Sequence, residues 1–129
     1  MGRWDRATDR GESDIEVSEL LLRTDVPTIS ADHGGMVTSI NERFHEAYGW
    51  TAEDLVGRHV TTIIPSRFHD AHHTGFSRFL TTGKPTILEQ PIELFVVTRD
   101  GREMPAEHFI VASESDNRWI FAATIRPLG

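Results

Sequence analysis

The pattern of apolar and polar positions predicts one helix, two short strands, a block of helices and three longer strands, in that order. The predicted elements are a helix at 14–23, strands at 28–31 and 36–40, helices at 41–48, 51–57 and 66–80, and strands at 86–97, 102–113 and 118–125. Within each group the strands are joined by turns too short for a crossover, so neighbouring strands must run antiparallel. Two groups of strands separated by helices are typical of an α+β fold on an antiparallel sheet.

The distribution of apolar residues also predicts the domain organisation. Residues 1–13 hold almost nothing to bury, which predicts a flexible arm. Residues 14–25 are predicted to contain an amino-terminal helix, capped by Ser13, that docks on the rest of the chain. Residues 26–126 hold the remaining elements and are predicted to form one domain.

Composition and charge narrow the range of partners. The 129 residues include 13 Lys and Arg against 20 Asp and Glu, a formal net charge of −7. An acidic chain lacks the basic surface that nucleic acids and anionic membranes require, so we expect neither as a partner. No apolar stretch has the length of a membrane span or of a signal peptide, which favours a cytoplasmic protein.

Candidate chemistry is confined to the histidines. The sequence has no cysteine, which excludes disulfides and a cysteinyl–flavin photoreceptor. It has no glycine-rich phosphate loop and no Gly-x-Ser-x-Gly motif, which predicts a protein that is not an enzyme. Histidine is the one residue type whose abundance points to a binding site, with seven in a chain of this length.

The predicted helix 66–80 carries a histidine on an aromatic face. The positions that share this face are Phe68, His72, Gly75, Phe76 and Phe79. A neutral imidazole among phenylalanines is suited to axial ligation of haem iron. The same pattern also fits a partly buried histidine whose ring nitrogens bond a backbone carbonyl or water.

Two other histidine arrangements offer alternatives of the same kind. His69 and His73 are four residues apart, which suits either two metal ligands on one helix face or a solvated face. In the predicted strand 102–113, alternation places His108 on one face with Met104 and Ile110. If this face points inward, His108 can hydrogen-bond a ligand, act as a second axial ligand or serve as a structural core histidine.

The opposite face of the strands at 86–97 and 102–113 is apolar too. An apolar face of this size needs a cover, and the helix in 14–25 is the predicted cover. The cover belongs either to a second copy, which gives a homodimer, or to the same chain. The residues expected at the homodimer contact are Leu20, Leu21, Phe95, Phe109 and Val111.

A set of short motifs, in this order and spacing, resembles the PAS domain family. The motifs are Asn41-Glu42-Arg43-Phe44, Tyr48-Gly49-Trp50, Glu53-Asp54-Leu55-Val56-Gly57, Pro65 and Arg99-Asp100-Gly101. The resemblance implies a five-stranded antiparallel sheet, with short helices over its concave face that enclose a ligand pocket or a closed core. It also implies a signalling role, often with amino-terminal helices in dimer contacts and with an output domain or partner regulator.

A narrower resemblance covers residues 65–101. The run Pro65-Ser66-Arg67-Phe68-His69-Asp70-Ala71-His72 is similar to the haem-binding PAS segment of the rhizobial FixL oxygen-sensor kinases. The resemblance places His72 at the proximal ligand of haem b iron and Arg78 near the haem propionates. Two positions depart from those sensors. Ile92 occupies the position of their arginine that hydrogen-bonds bound oxygen, and His108 occupies the position of a distal leucine. The pocket positions implied in this way are His72, Phe68, Phe76, Phe79, Arg78, Ile87, Ile92, His108 and Ile110.

Together these features predict a PAS sensory domain of a bacterial regulator. We expect it to bind a small ligand, with haem b the best candidate, and to relay ligand state through dimer geometry. Haem would make the domain a gas or redox sensor. The alternative is a ligand-free PAS module for dimerisation or protein interaction.

Overall fold

A computed structural model describes residues 16–82 and 90–128. Two 3-10 helices lie between the third and fourth α-helices. The elements are α1 (Val17–Leu20), β1 (Thr28–Ala31), β2 (Val37–Ile40), α2 (Glu42–Tyr48), α3 (Ala52–Leu55), the first 3-10 helix (Val60–Ile63), the second 3-10 helix (Ser66–Phe68), α4 (His69–Thr82), β3 (Ile92–Val97), β4 (Glu103–Ser115) and β5 (Arg118–Pro127).

The five strands form one antiparallel sheet in the order β2-β1-β5-β4-β3. The first and last strands of the fold are neighbours at its centre, with Thr28 opposite Thr124. The longest ladder joins β4 and β5 through a two-residue turn in which Asp116 and Asn117 have left-handed backbone angles. Left-handed residues at both positions match the twist of a tight hairpin. The α+β class and the antiparallel sheet predicted from the sequence are confirmed.

Local capping residues explain where the short helices begin and end. The Asn41 side chain accepts a hydrogen bond from the Phe44 N–H at 2.9 Å, and Thr51 caps α3 in the same way. Gly49 ends α2 in a left-handed conformation, φ 82°, which a glycine adopts without steric cost. These three residues therefore fix the block of helices that crosses the sheet.

The main core lies between this block and the inner face of the sheet. Tyr48 is buried there, and its hydroxyl donates a hydrogen bond to the carbonyl of Ile125 at 2.7 Å. The buried members of the core are Ile29, Val37, Phe44, Tyr48, Trp50, Leu55, Ile63, Val96, Ala106, Ala123 and Ile125. Because β4 and β5 alternate, residues of the same parity as Ala106 and Ile125 share this inner face.

Several predicted boundaries differ from the structure, including the following three. The amino-terminal helix ends at Leu20 instead of residue 23, and Leu22 is 81% exposed. The predicted helix 66–80 is divided into the second 3-10 helix and α4. Residues 90–91 are not in a strand, although the prediction placed them within 86–97. The predicted arm at 1–13 and the strand positions 86–89 lie outside the described residues.

Candidate functional site on the inner face

His69 anchors the start of α4 to the first 3-10 helix. Its Nε2–H points at two backbone carbonyls, that of Ile64 at 2.7 Å and that of Thr61 at 3.0 Å. These hydrogen bonds give His69 a structural role. Because the Nε2 of His69 is used in these hydrogen bonds, it is not free to act as a ligand in the alternative metal site on His69 and His73. Within 16–82 and 90–128, no three His, Cys, Asp or Glu side chains are arranged to hold a metal ion.

His72 lies one turn along α4, with a ring nitrogen that has no partner. Its Nδ1 is buried and makes no hydrogen bond. The ring stacks on Phe76, with centroids 5.8 Å apart and planes 11° from parallel. Burial, reinforced by nearby histidines, lowers the pKa of His72 to about 4. The imidazole is therefore neutral at pH 7 and keeps an unused polar atom inside the protein.

The sequence analysis missed His59, which completes a cluster of three imidazoles. The ring centroid of His59 is 6.0 Å from that of His72 and 5.6 Å from that of His73, and His72 and His73 are 5.9 Å apart. Burial is the largest cause that lowers the pKa of His59, followed by the neighbouring His73. Its position before the apolar run 60–64 was the available signal, but nothing in the spacing connects it to residue 72.

The aromatic residues beyond His72 pack directly on the sheet. Phe79 is buried, with its ring centroid 4.7 Å from that of Trp119 and 5.6 Å from that of Phe121. Phe76 meets Phe121 at 5.3 Å. Edge-to-face and tilted contacts at these distances are favourable. The protein's own side chains therefore fill this end of the inner face.

Phe68 does not belong to the predicted aromatic face. Its side chain is 39% exposed, and the guanidinium of Arg67 lies over its ring at 4.6 Å. The reason is the second 3-10 helix, whose tighter winding changes the direction of residue 68 relative to α4. The exposed position of Phe68 does not support the prediction that it lines a pocket with His72.

His108 lies on the inner face of β4, opposite Ile92 on β3 and Ile125 on β5. It is 9% exposed, and its Nδ1 is 3.3 Å from the carbonyl of Ala106. Burial lowers the pKa of His108 as well. Ile110, two residues further on, is partly buried against the main core. The neutral imidazole of His108 thus lies among aliphatic side chains.

The remaining predicted pocket residues are less informative. Arg78 is exposed on α4, and Ile87 lies outside the described residues. Two surface depressions, of about 300 and 370 Å³, lie at the start of α2 and beside the turn between β3 and β4. Neither depression is lined by His72 or His108.

The outer face of the sheet is partly covered by α1 of the same chain. Val17 and Leu20 are buried against Val111 and Ala122, with Leu21 and Phe109 packed around them. The Val17 N–H also donates a hydrogen bond to the Ser113 Oγ at 3.1 Å. Leu20 and Val111 therefore contact each other within the chain, as in the alternative of a cover from the same chain. Phe95 is 40% exposed.

Comparison with known proteins agrees with this architecture. Residues 25–126 match the PAS domain family. A protein of Azorhizobium caulinodans that carries no functional name is 34% identical over 101 residues, 78% of this chain and 14% of that protein. Among solved structures, a PAS domain from Desulfitobacterium hafniense gives a TM-score of 0.67 at 18% identity, over 85% of this chain and 99% of that one. A light-oxygen-voltage domain studied with a flavin analogue gives 0.66 at 13% identity, over 90% of this chain and 87% of that one.

The chain belongs to the PAS domain family, and its fold is that of a sensory domain of the kind used in signal transduction. A flavin analogue is named for one structural neighbour. The chain spans about one seventh of the length of its Azorhizobium relative. In the part of the chain that the structure describes, no helix has the length and apolar character needed to cross a membrane.

Proposed function

We propose that this chain is a non-catalytic, cytoplasmic sensory domain that takes a small ligand between α4 and the sheet, with His72 as its principal contact. The observation that carries the proposal is the buried, unpartnered Nδ1 of His72. A buried polar atom without a partner costs free energy, commonly about 1–3 kcal/mol, and a ligand that bonds it recovers that cost. His108, buried on the facing strand, is the second proposed contact.

Haem b is the ligand that the donor chemistry fits best. A ligating histidine must be neutral, and the low pKa of His72 keeps it so at pH 7. The ring of Phe76 lies parallel to the imidazole of His72 and gives it an apolar neighbour. In this proposal His72 would hold the iron and His108 would be a second candidate contact for the haem. Bound haem would supply an iron that responds to gases or to redox state.

A visible spectrum of the chain reconstituted with hemin tests the haem proposal. We expect a shifted Soret band in the wild type, retained in His73→Ala and lost in His72→Ala. His73 is the matched control because it is adjacent, exposed and of the same residue type. A spectrum like that of free hemin, or one unchanged in His72→Ala, contradicts haem ligation by His72.

The second candidate is a ligand-free module for dimerisation or protein interaction. It is favoured by the contacts of Phe76 and Phe79 with Trp119 and Phe121, which fill part of the inner face. Mass spectrometry of solvent extracts from the purified chain distinguishes the two candidates. A recovered small molecule favours the ligand-binding function, and its consistent absence, together with no hemin binding, favours the ligand-free module.

We further propose that signal leaves the domain through a homodimer on the outer face. After α1 covers Val111, the exposed ring of Phe95 and the half-buried Phe109 and Leu21 remain for a second copy. Light scattering over a range of concentrations should show a dimer that Phe95→Asp weakens. Val56→Asp, at a similarly exposed apolar residue on another face, should leave it unchanged. A monomer at all concentrations contradicts this route.

A further inference from the structure

His59 lies where the first 3-10 helix meets the turn between β1 and β2 and α4. It is the N-cap of the first 3-10 helix, where its Nδ1 accepts a hydrogen bond from the Thr61 N–H at 3.2 Å and lies 3.0 Å from the Thr61 hydroxyl. A neutral imidazole that accepts at Nδ1 carries its hydrogen on Nε2. The capping contact therefore fixes both the tautomer and the direction of the ring.

On one side, His59 is fitted against the turn between β1 and β2. The backbone around it is bonded to this turn by Val60 N–H to the Gly35 carbonyl and by Val37 N–H to the Arg58 carbonyl, both at 2.8 Å. A Cβ atom added to Gly35 would lie 2.7 Å from the His59 Nε2. The ring thus occupies the space that the absent side chain leaves, so ring and turn cannot move independently.

On the other side, the same ring meets α4. His72 contacts it edge-on, with ring planes at 89°, and His73 lies at 35° to it. The ring of His59 is therefore placed between the imidazole of His72 and the backbone of Gly35. A displacement of either neighbour presses on a ring whose own position is fixed by Thr61.

We propose that His59 is a positioning residue that couples the imidazole of His72 to the turn between β1 and β2. The turn joins the edge strand β2 to the central strand β1, so a shift of His72 reaches the sheet through this ring. The inference rests on the proposed function only in naming a ligand as the cause of the shift. The coupling itself is a property of the ligand-free chain. It is demonstrated when a change at His72 alters the turn between β1 and β2, or the reverse, through His59.

The test uses the ¹⁵N resonances of the histidine rings in the ligand-free chain. Gly35→Ala introduces a Cβ against His59, so we expect the ring resonances of His72 to shift. Gly101→Ala is the matched control, because Gly101 has a similar φ of 90° but nothing within 4 Å of an added Cβ. It should leave His72 unchanged. In a His59→Asn background, Gly35→Ala should no longer move His72, although the Asn side chain still caps Thr61.

The reverse experiment keeps the proposal testable if Gly35→Ala fails to fold. His72→Phe should shift the amide resonances of Val37 and Val60 in the wild type, and that shift should be lost in His59→Asn. Equal shifts in the two backgrounds, or none in the wild type, overturn the coupling. A chain that couples but binds no hemin contradicts the haem function alone. A chain that binds hemin but does not couple contradicts the role of His59 alone.

Discussion

Replacement of His72 by phenylalanine tests whether burial of this histidine makes the domain sensitive to acid. Phenylalanine keeps an aromatic ring against Phe76 but cannot be protonated. In the folded chain the pKa of His72 is lowered from 6.5 to about 4 by burial and by neighbouring histidines. Between these values the unfolded chain binds a proton that the folded chain does not. Above pH 6.5 the buried His72 therefore does not lower the free energy of unfolding. Below pH 6.5 the free energy of unfolding falls as the pH decreases toward 4.

The size of the effect follows from the difference between the two pKa values. Each pKa unit of difference corresponds to about 1.4 kcal/mol, so a pKa lowered from 6.5 to about 4 sets an upper limit of roughly 3 kcal/mol. The ring is only partly buried, and water screens the charge that protonation would create. We therefore expect roughly half of the limit, on the order of 1–2 kcal/mol.

The assay is urea unfolding, followed by the fluorescence of the buried Trp50 and Trp119, at several values between pH 7.5 and 4.5. As the pH decreases over this range, the stability of His72→Phe should rise relative to the wild type by about 1–2 kcal/mol. The acidic and basic groups that do not interact with His72 are common to both chains, so their contributions cancel. Phe76→Leu, which alters the ring stack without removing a titrating group, should give a curve parallel to the wild type. A His72→Phe curve parallel to the wild type refutes the reasoning.

Three further substitutions test the packing. Tyr48→Phe removes the donor to the Ile125 carbonyl inside the core, and should lower the free energy of unfolding by about 1–2 kcal/mol in the same urea assay; an unchanged midpoint contradicts the buried bond. Leu20→Ala should cost about 2 kcal/mol and speed hydrogen exchange in α1, because its side chain packs on the outer face; exchange as slow as in the wild type contradicts docking of α1. Gly49→Ala forces a left-handed backbone on alanine and brings its Cβ to 3.2 Å from a side chain of the turn between β3 and β4. It should therefore lower the free energy of unfolding by at least about 1 kcal/mol. An unchanged free energy of unfolding contradicts the left-handed cap.

Features determined by neighbouring residues were predictable from the sequence. Asn41 and Gly49 act within one or two turns of helix, so their capping roles can be derived without tertiary structure. The hairpin turn at Asp116 and Asn117 is local in the same way. Alternation along β4 also placed His108 on the face with Ile110, because the period of a strand is two whatever packs on it.

Features determined by distant contacts could not be derived in this way. The proximity of His59 to His72 depends on how the first 3-10 helix meets α4, and two 3-10 helices lie between these residues in the sequence. The exposed position of Phe68 was not predicted because a 3-10 turn was treated as α-helix, a difference that composition does not reveal. The burial of Leu20 within its own chain depends on the path of residues 21–27, which carries no periodic signal.

Native mass spectrometry tests most directly the central claim that a small ligand binds at His72. The wild-type chain and His72→Phe are purified in parallel, and each is measured before and after incubation with hemin. We expect the wild type to carry one small molecule per chain in at least one of these states, and His72→Phe to carry none. A wild-type chain that remains at its sequence mass in both states contradicts the claim, as does a bound molecule that His72→Phe retains.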